Sequence, residues 1–208
     1  MEDFVHLELR RHRGWPWPED DDSNTAMFGE DGWCHKCEVP RRAQCGSLVL
    51  QARGWGSVAG AWVPHFQPDA YCLEASLAER IVAAEFALPL LPIVWHGRPP
   101  GSAVQIVVPT IGEAWFDPEE LRERTIERHE AAGKCCAECG VWRWYGLNWD
   151  QMPPYRHPTM PEDVHVAASP EWFGSGGLAF RKVIFRRELA EMIVAASPRD
   201  FKVREIPR

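Results

Sequence analysis

The chain has 208 residues and a formal net charge of −7, so it is long enough for one large or two small domains with a hydrophobic core. The apolar share of 45% argues against a wholly disordered chain. No run approaches the roughly 18 to 20 apolar residues of a membrane helix, and the acidic start lacks the features of a signal peptide. The negative charge also disfavours general nucleic-acid binding. We therefore expect a cytoplasmic protein without a membrane partner.

The N-terminal region combines a predicted strand with an aromatic and acidic segment. Alternating residues in 4–9 predict the strand, and the prolines that follow the next two tryptophans force extended backbone. A surface linker is one interpretation of this segment. The other is a patch that docks a basic partner through Trp15, Trp17, Asp20, Asp21 and Asp22.

Two helices are predicted in the middle of the chain. The spacing of Ser76 and Glu79 is that of a capping box, and Pro89 should stop the helix that follows. Asp117 before Pro118 predicts a capped second helix, which Gly133 should end. Strands are predicted over 47–51, 104–108 and 141–145.

The last part of the chain predicts a small strand–helix–strand unit, a scaffold element, over 178–185, 187–196 and 201–206. The expected fold is therefore α+β, with mixed small sheets and helices around a zinc-knuckle (zinc-ribbon-like) core. We divide the chain into residues 1–32 (strand and acidic loop), 33–150 (knuckle domain with a large insertion) and 151–208 (C-terminal α/β unit). The three are expected to form one compact fold.

Two cysteine pairs organise this scheme. Cys34 and Cys37 form one Cys-x-x-Cys motif, and Cys136 and Cys139 form another, which Gly140 follows. Seven cysteines in a cytoplasmic protein suit metal ligands or free thiols better than disulfides. Two such half-sites can make a tetrahedral four-thiolate zinc site. About a hundred residues separate the two motifs, whereas roughly 15 to 20 separate them in an ordinary zinc ribbon. A shared Zn²⁺ would therefore hold together the two ends of a large insertion.

Other interpretations of the cysteines stay open. The motifs could form two separate partial sites, or the thiols could be inert. A glycine after the second cysteine lets backbone amides turn toward sulfur, and Glu38 stands in that position of the first motif, which predicts a weaker half. Cys45 could replace a ligand there, and Cys135 offers an alternative spacing to Cys139.

The rest of the sequence contains no motif that predicts an enzyme. The chain has no Gly-x-Ser-x-Gly, His-Glu-x-x-His or P-loop pattern, and neither cysteine pair opens a helix after a strand, as a thioredoxin-like site would. A thiol oxidoreductase is therefore a minor alternative. Trp142 and Trp144 could stack nucleobases in a nucleic-acid-associated zinc-ribbon protein, but few basic residues lie nearby. A core or protein-binding role is favoured for both.

In these two motifs and in the tail from Glu162 to Ile206, the chain resembles the double-CXXCG motif family of bacterial proteins. The resemblance implies that Cys34, Cys37, Cys136 and Cys139 bind the metal and that the protein is not an enzyme. Some relatives are immunity proteins, which neutralise a toxin from neighbouring cells. An acidic, tryptophan-rich chain suits a binder of a basic toxin domain, because complementary charge speeds encounter.

Overall fold

The computed structural model describes residues 4–13, 22–53, 55–156, 158–175 and 178–207. Within these ranges it has four α-helices and thirteen short strands, which confirms the predicted α+β class. The helices are α1 (Asp22–Phe28), α2 (Ala75–Ala83), α3 (Pro118–His129) and α4 (Arg187–Ala196). The strands are β1 (Phe4–Leu9), β2 (Val49–Gln51), β3 (Ala61–Trp62), β4 (Tyr71–Glu74), β5 (Leu90–Pro92), β6 (Val94–His96), β7 (Ala103–Ile106), β8 (Gly133–Cys135), β9 (Trp142–Trp144), β10 (Val166–Ala168), β11 (Trp172–Phe173), β12 (Val183–Arg186) and β13 (Phe201–Arg204).

One sheet joins the two ends of the chain. Its strand order is β10-β12-β1-β13, and β1 pairs antiparallel with both β12 and β13. The tail contains β12, α4 and β13 in the predicted order, and the N-terminal strand β1 lies between the two strands. That they form a separate C-terminal α/β unit stays a prediction. Strand β12 is shorter than predicted, because regular pairing begins only at Val183. The three-part division of the chain stays a prediction.

The main hydrophobic core packs this sheet and its helix against a second four-stranded sheet, ordered β3-β4-β7-β5. Leu73 and Ile81 from one side meet Phe185 and Ile193 from the other, and each of these side chains is fully buried. Burying side chains of this size stabilises the fold by about 2 kcal/mol each. Among the described residues, no helix is long and apolar enough to cross a bilayer.

Helix α2 differs at both ends from the prediction. It begins at Ala75, before the predicted capping box, and Ser76 Oγ instead donates a hydrogen bond to Glu74 Oε1 at 2.8 Å. It ends well before Pro89, because Glu85 takes a left-handed conformation (φ 65°) and the Phe86 amide donates back to the Ile81 carbonyl. This turn places Phe86 in the main core.

Helix α3 begins as predicted and ends early. The Asp117 carboxylate accepts hydrogen bonds from the amides of Glu119 (2.9 Å) and Glu120 (3.1 Å), with Pro118 at the first helical position. The helix stops at Glu130, which is left-handed (φ 62°), rather than at Gly133. Gly133 is needed for another reason: a β-carbon there would lie 2.2 Å from the Arg143 carbonyl oxygen on β9.

Asp117→Ala should lower the free energy of unfolding by about 1 kcal/mol, because two helix amides lose their acceptor. Asp117 also pairs with Arg156, so Asp117→Asn separates the two roles. Asparagine keeps the cap and loses only the exposed ion pair, and the expected loss is a few tenths of a kcal/mol. Urea denaturation of the three proteins measures the difference, and equal losses for both variants would contradict the capping role.

Two smaller sheets complete the strand pairing of the described residues. Strands β2 and β6 pair in parallel, and β11, β9 and β8 form a three-stranded sheet in that order. Beneath the three-stranded sheet lies a second core that contains Trp115, Phe116, Phe173 and Ile184. The hairpin of β8 and β9 carries the second cysteine pair in its turn.

Candidate metal centre

The second cysteine pair lies in a tight hairpin turn. The Cys136 amide donates to the Val141 carbonyl at 3.0 Å, and the Gly140 amide donates back to the Cys136 carbonyl at 2.9 Å. Gly140 has φ 72°, a conformation that favours glycine. Immediately outside the turn, Cys135 pairs with Trp142 in the β8–β9 ladder.

The first pair has the same turn without the glycine. The Cys34 amide donates to the Val39 carbonyl at 2.9 Å, and the Glu38 amide donates to the Cys34 carbonyl at 2.7 Å. The flanking residues Trp33 and Pro40 form an antiparallel bridge in the corresponding register. Glu38 has φ 61°, close to the value of Gly140. The missing glycine therefore leaves the turn geometry intact and adds backbone strain instead.

Exchanging the residue types at these two positions should have opposite effects. Glu38→Gly should raise the free energy of unfolding by about 1 kcal/mol, because glycine is unstrained at positive φ. Gly140→Ala should lower it by a similar amount; an added β-carbon there meets no atom within 4 Å, so strain alone acts. Thermal unfolding of both variants with metal bound measures the effects. Shifts of the same sign would contradict the equivalence of the two turns.

The two turns bring four sulfur atoms together. Cys34 Sγ lies 3.8 Å from Cys136 Sγ, and Cys37 Sγ lies 3.5 Å from Cys139 Sγ. All four atoms lie within 4.8 Å of one another. A tetrahedron with metal–sulfur distances of about 2.3 Å has edges of about 3.8 Å, so the spacing suits a four-thiolate site. All the cysteines are unpaired thiols, and these contacts are far longer than a disulfide bond.

The protein around the sulfurs shifts the pKa values of these thiols in both directions. The backbone amides of Cys139 and Glu138 donate to the Cys136 sulfur and lower the pKa of that thiol to about 6. Burial raises the pKa values of Cys37 and Cys139; a bound cation would offset that penalty, because metal binding deprotonates its thiols. Three of the four cysteines are buried, and Cys139 is partly exposed.

A buried arginine side chain lies next to the cysteine cluster. Arg143, on β9, is 5% exposed, and its Nη1 donates to the Cys37 carbonyl at 3.5 Å and the Leu178 carbonyl at 3.4 Å. Four thiolates and one divalent ion carry a net charge of −2, which a nearby guanidinium partly balances. Val39, Val141 and Trp172 pack against the sulfurs, and the Glu138 carboxylate lies 3.6 Å from Cys34 Sγ.

The other candidate ligands lie outside the cluster. Cys45 and Cys135 are exposed, and their sulfurs contact the carbonyl oxygens of Met27 (3.5 Å) and Gly140 (3.3 Å). His35, which lies between the two cysteines of the first motif, is exposed as well, and its Nε2 lies 3.0 Å from the Glu30 carbonyl oxygen. The structure therefore gathers the four cysteines of the two motifs and none of these alternatives.

The predicted partner-binding residues are placed only in part. Trp142 is 43% exposed and contacts Trp144 edge-on at 5.6 Å, whereas Trp144 packs against the second core. Asp22 is the first residue of α1, but its side chain is not among the parts of the chain that the structure describes. Four further predicted residues lie outside the described residues altogether: Trp15, Trp17, Asp20 and Asp21. The partner-binding role of the whole set stays a prediction.

Sequence reasoning missed Arg143 as a component of this site. The signal was present, because in 141–145 the alternation of a strand places Arg143 on the face opposite to Trp142 and Trp144. A charged residue on one face of a short strand predicts that this face is exposed to solvent. Only the tertiary structure reveals that the cysteine cluster covers it. Trp172, which packs against the cluster from β11, has no local signal at all.

Fold and site together define an α+β protein with a four-cysteine cluster, built from two matched turns, that could bind a metal ion such as zinc. No protein-family model matches the chain, and no curated protein matches its sequence. The resemblance to the double-CXXCG family therefore stays a prediction.

Proposed function

We propose that this is a non-enzymatic protein-binding protein whose fold is stabilised by Zn²⁺ bound to Cys34, Cys37, Cys136 and Cys139. The observation that carries the proposal is the meeting of four sulfurs from two motifs 102 positions apart. Bringing such distant segments together costs loop-closure entropy, and a metal bound in common offsets that cost.

The donor set supports a structural role and Zn²⁺. Four cysteine sulfurs complete a tetrahedral shell, and structural zinc sites are closed in this way, whereas catalytic ones keep a position for water or substrate. Soft thiolates select zinc or iron among the common metals. The ion would supply cross-linking and charge, while the two turns and Arg143 supply geometry and charge balance.

A protein partner, in particular a basic toxin domain, follows from charge and from the family resemblance. A net charge of −7 favours a cationic partner and faster association with it. The exposed Trp142 provides a large apolar contact of the kind enriched at interface hot spots. With the double-CXXCG resemblance, these features support an immunity protein that neutralises a bacterial toxin.

Co-expression with the product of the adjacent gene tests this function. We expect that product to arrest growth alone, and this protein to relieve the arrest and form a complex with it. Trp142→Ala should weaken the complex at least about tenfold, a change of about 1.4 kcal/mol. The control Ile126→Ala removes another exposed apolar side chain, on α3, and should not weaken it.

Three results would contradict the proposal. One is persistent growth arrest in the presence of this protein. Another is a purified protein that retains only nucleic acid or a small metabolite from its native cells. The third is catalytic thiol–disulfide exchange by the zinc-loaded protein, which would favour the oxidoreductase alternative.

A further inference from the structure

A cleft of about 650 Å³ opens beside the first cysteine turn. Ligand sites in proteins have volumes of about 300 to 1,000 Å³, so the cleft is large enough for several residues of a peptide. One wall comes from Glu38 and Pro40, immediately after Cys37. Trp172 and Arg181 also line the cleft, and Trp172 packs against the cysteine cluster as well.

Arg181 is held in place at the wall of this cleft. Its Nη1 donates to Thr110 Oγ1 at 2.6 Å, and its Nε lies 3.4 Å from Asp69 Oδ2. The guanidinium carbon lies 5.1 Å from the centre of the Trp172 ring. A guanidinium fixed on three sides loses little side-chain entropy when it binds an anion.

Two further arginines of the cleft are available to a ligand. Arg41 and Arg42 are exposed and line the cleft on the side of the first turn. Neither side chain makes a hydrogen bond or ion pair with any residue that the structure describes. Glu38 and Asp69 also line the cleft, and Asp69 pairs with Arg181, so the three arginines leave the lining with a net formal charge of +1 in a chain of net charge −7.

Amide side chains line the same cleft as the arginines. Gln105 is 5% exposed and exchanges two hydrogen bonds with Gln44, which donates from Nε2 at 2.7 Å and accepts at Oε1 at 3.3 Å. Gln44 Nε2 also donates to the Gly46 carbonyl at 2.9 Å, and Asn24 and Gln67 line the cleft as well. Each amide carries both a donor and an acceptor, as a peptide group does. The carboxylates of Glu38 and Asp69 are part of the same lining; they repel the closely spaced charges of a polyphosphate more than carboxylates spaced along a peptide.

We propose that this cleft binds an extended acidic segment of a protein partner. Side-chain carboxylates of the segment pair with Arg41, Arg42 and Arg181, and its backbone bonds to the amide side chains that line the cleft. Arginine forks bind carboxylates through two parallel hydrogen bonds, which fixes orientation as well as affinity. The site is separate from the proposed neutralisation of a basic toxin, so either proposal can fail alone.

Fluorescence anisotropy with the full-length, zinc-loaded protein tests the cleft. The probe is a short capped peptide of alternating glutamate and leucine with a fluorescein label, and its matched control has glutamine in place of glutamate. The glutamate peptide should bind saturably and lose affinity as salt rises. The glutamine peptide should bind at least about tenfold more weakly, a difference of about 1.4 kcal/mol.

Two variants locate the binding to the cleft. Arg41→Gln with Arg42→Gln removes two exposed charges and should weaken binding at least about tenfold. Arg181→Lys keeps the charge but loses the fork, and should also weaken binding. The matched control, Arg122→Gln with Arg124→Gln on the exposed face of α3, has the same change of charge and should bind like the native protein.

Circular dichroism and zinc content confirm that each variant is folded. The proposal is wrong if the glutamate peptide does not bind saturably, or if the α3 control loses as much affinity as the cleft variants. Tighter binding of inorganic tripolyphosphate or of a single-stranded oligonucleotide than of the peptide would also overturn it. Because Arg41 and Arg42 are exposed, their double variant keeps the test decisive even if Arg181→Lys fails to fold.

Discussion

Replacing Cys136 with serine should abolish metal binding and lower the free energy of unfolding by several kcal/mol. Metal binding and folding are coupled in sites of this kind, and Cys136 lies in the buried cluster, 3.8 Å from Cys34 Sγ. The native protein, purified without chelator, should contain one zinc per chain. Elemental analysis measures the metal, and urea denaturation measures the loss of stability.

Cys135→Ser is a closely matched control, because it makes the same change one residue away. Cys135 is exposed and outside the four-sulfur cluster, so this variant should keep its metal and its stability. Cys45→Ser should behave in the same way. The metal site would be refuted by native protein that contains no metal, or by a Cys136→Ser variant that retains a full equivalent of zinc.

Acidification from pH 6.5 to pH 4 should destabilise the fold through His6 by up to about 3 kcal/mol. The imidazole is 6% exposed, stacks on Trp149 at 4.7 Å, and has no hydrogen-bond partner for Nδ1 among the described residues. Burial, and then the charge of Lys182, lower its pKa from 6.5 to about 4. Arg204 acts in the same direction and Glu8 in the opposite one.

The direction of this pH effect on stability follows from the number of protons bound to His6 in the folded and the unfolded state. Above pH 6.5 the imidazole is neutral in both the folded and the unfolded chain, and its contribution does not change. Between pH 6.5 and 4 only the unfolded chain takes up the proton. Each pH unit in this window therefore removes about 1.4 kcal/mol from the free energy of unfolding. Below pH 4 both states are protonated and the loss is complete.

His6→Phe isolates this effect, because phenylalanine keeps a ring against Trp149 and cannot titrate. Acid also weakens zinc binding by protonating thiolates, but that contribution is shared and cancels in the difference between the two proteins. The stability of the native protein relative to His6→Phe should fall across the window. His96→Phe, on the exposed end of β6, should follow the native protein. Parallel curves for native protein and His6→Phe would contradict the prediction.

The elements that the sequence predicted well are those encoded by neighbouring residues. Strand β1 and helix α4 have their predicted bounds, because side-chain periodicity over a few residues specifies them. The cap of α3 could also be predicted, since Asp117 accepts hydrogen bonds from amides within one turn and Pro118 suits the first helical position. The ends of the helices were not predicted correctly. The chain takes a left-handed conformation at Glu85, after α2, and at Glu130, after α3. Both helices therefore end before the proline or glycine that was expected to stop them.

By itself, the sequence determined the α+β class, six of the thirteen strands of the described residues and the four cysteines as ligand candidates, because short-range patterns and motif spacing report on local conformation. Only the tertiary structure decided that the two motifs meet, that Arg143 lies behind them and that β1 separates β12 from β13. It also decided that Arg41 and Arg181 share one cleft. These are contacts between segments far apart in the chain. Their formation depends on the burial and loop closure of the whole fold, to which no local pattern responds.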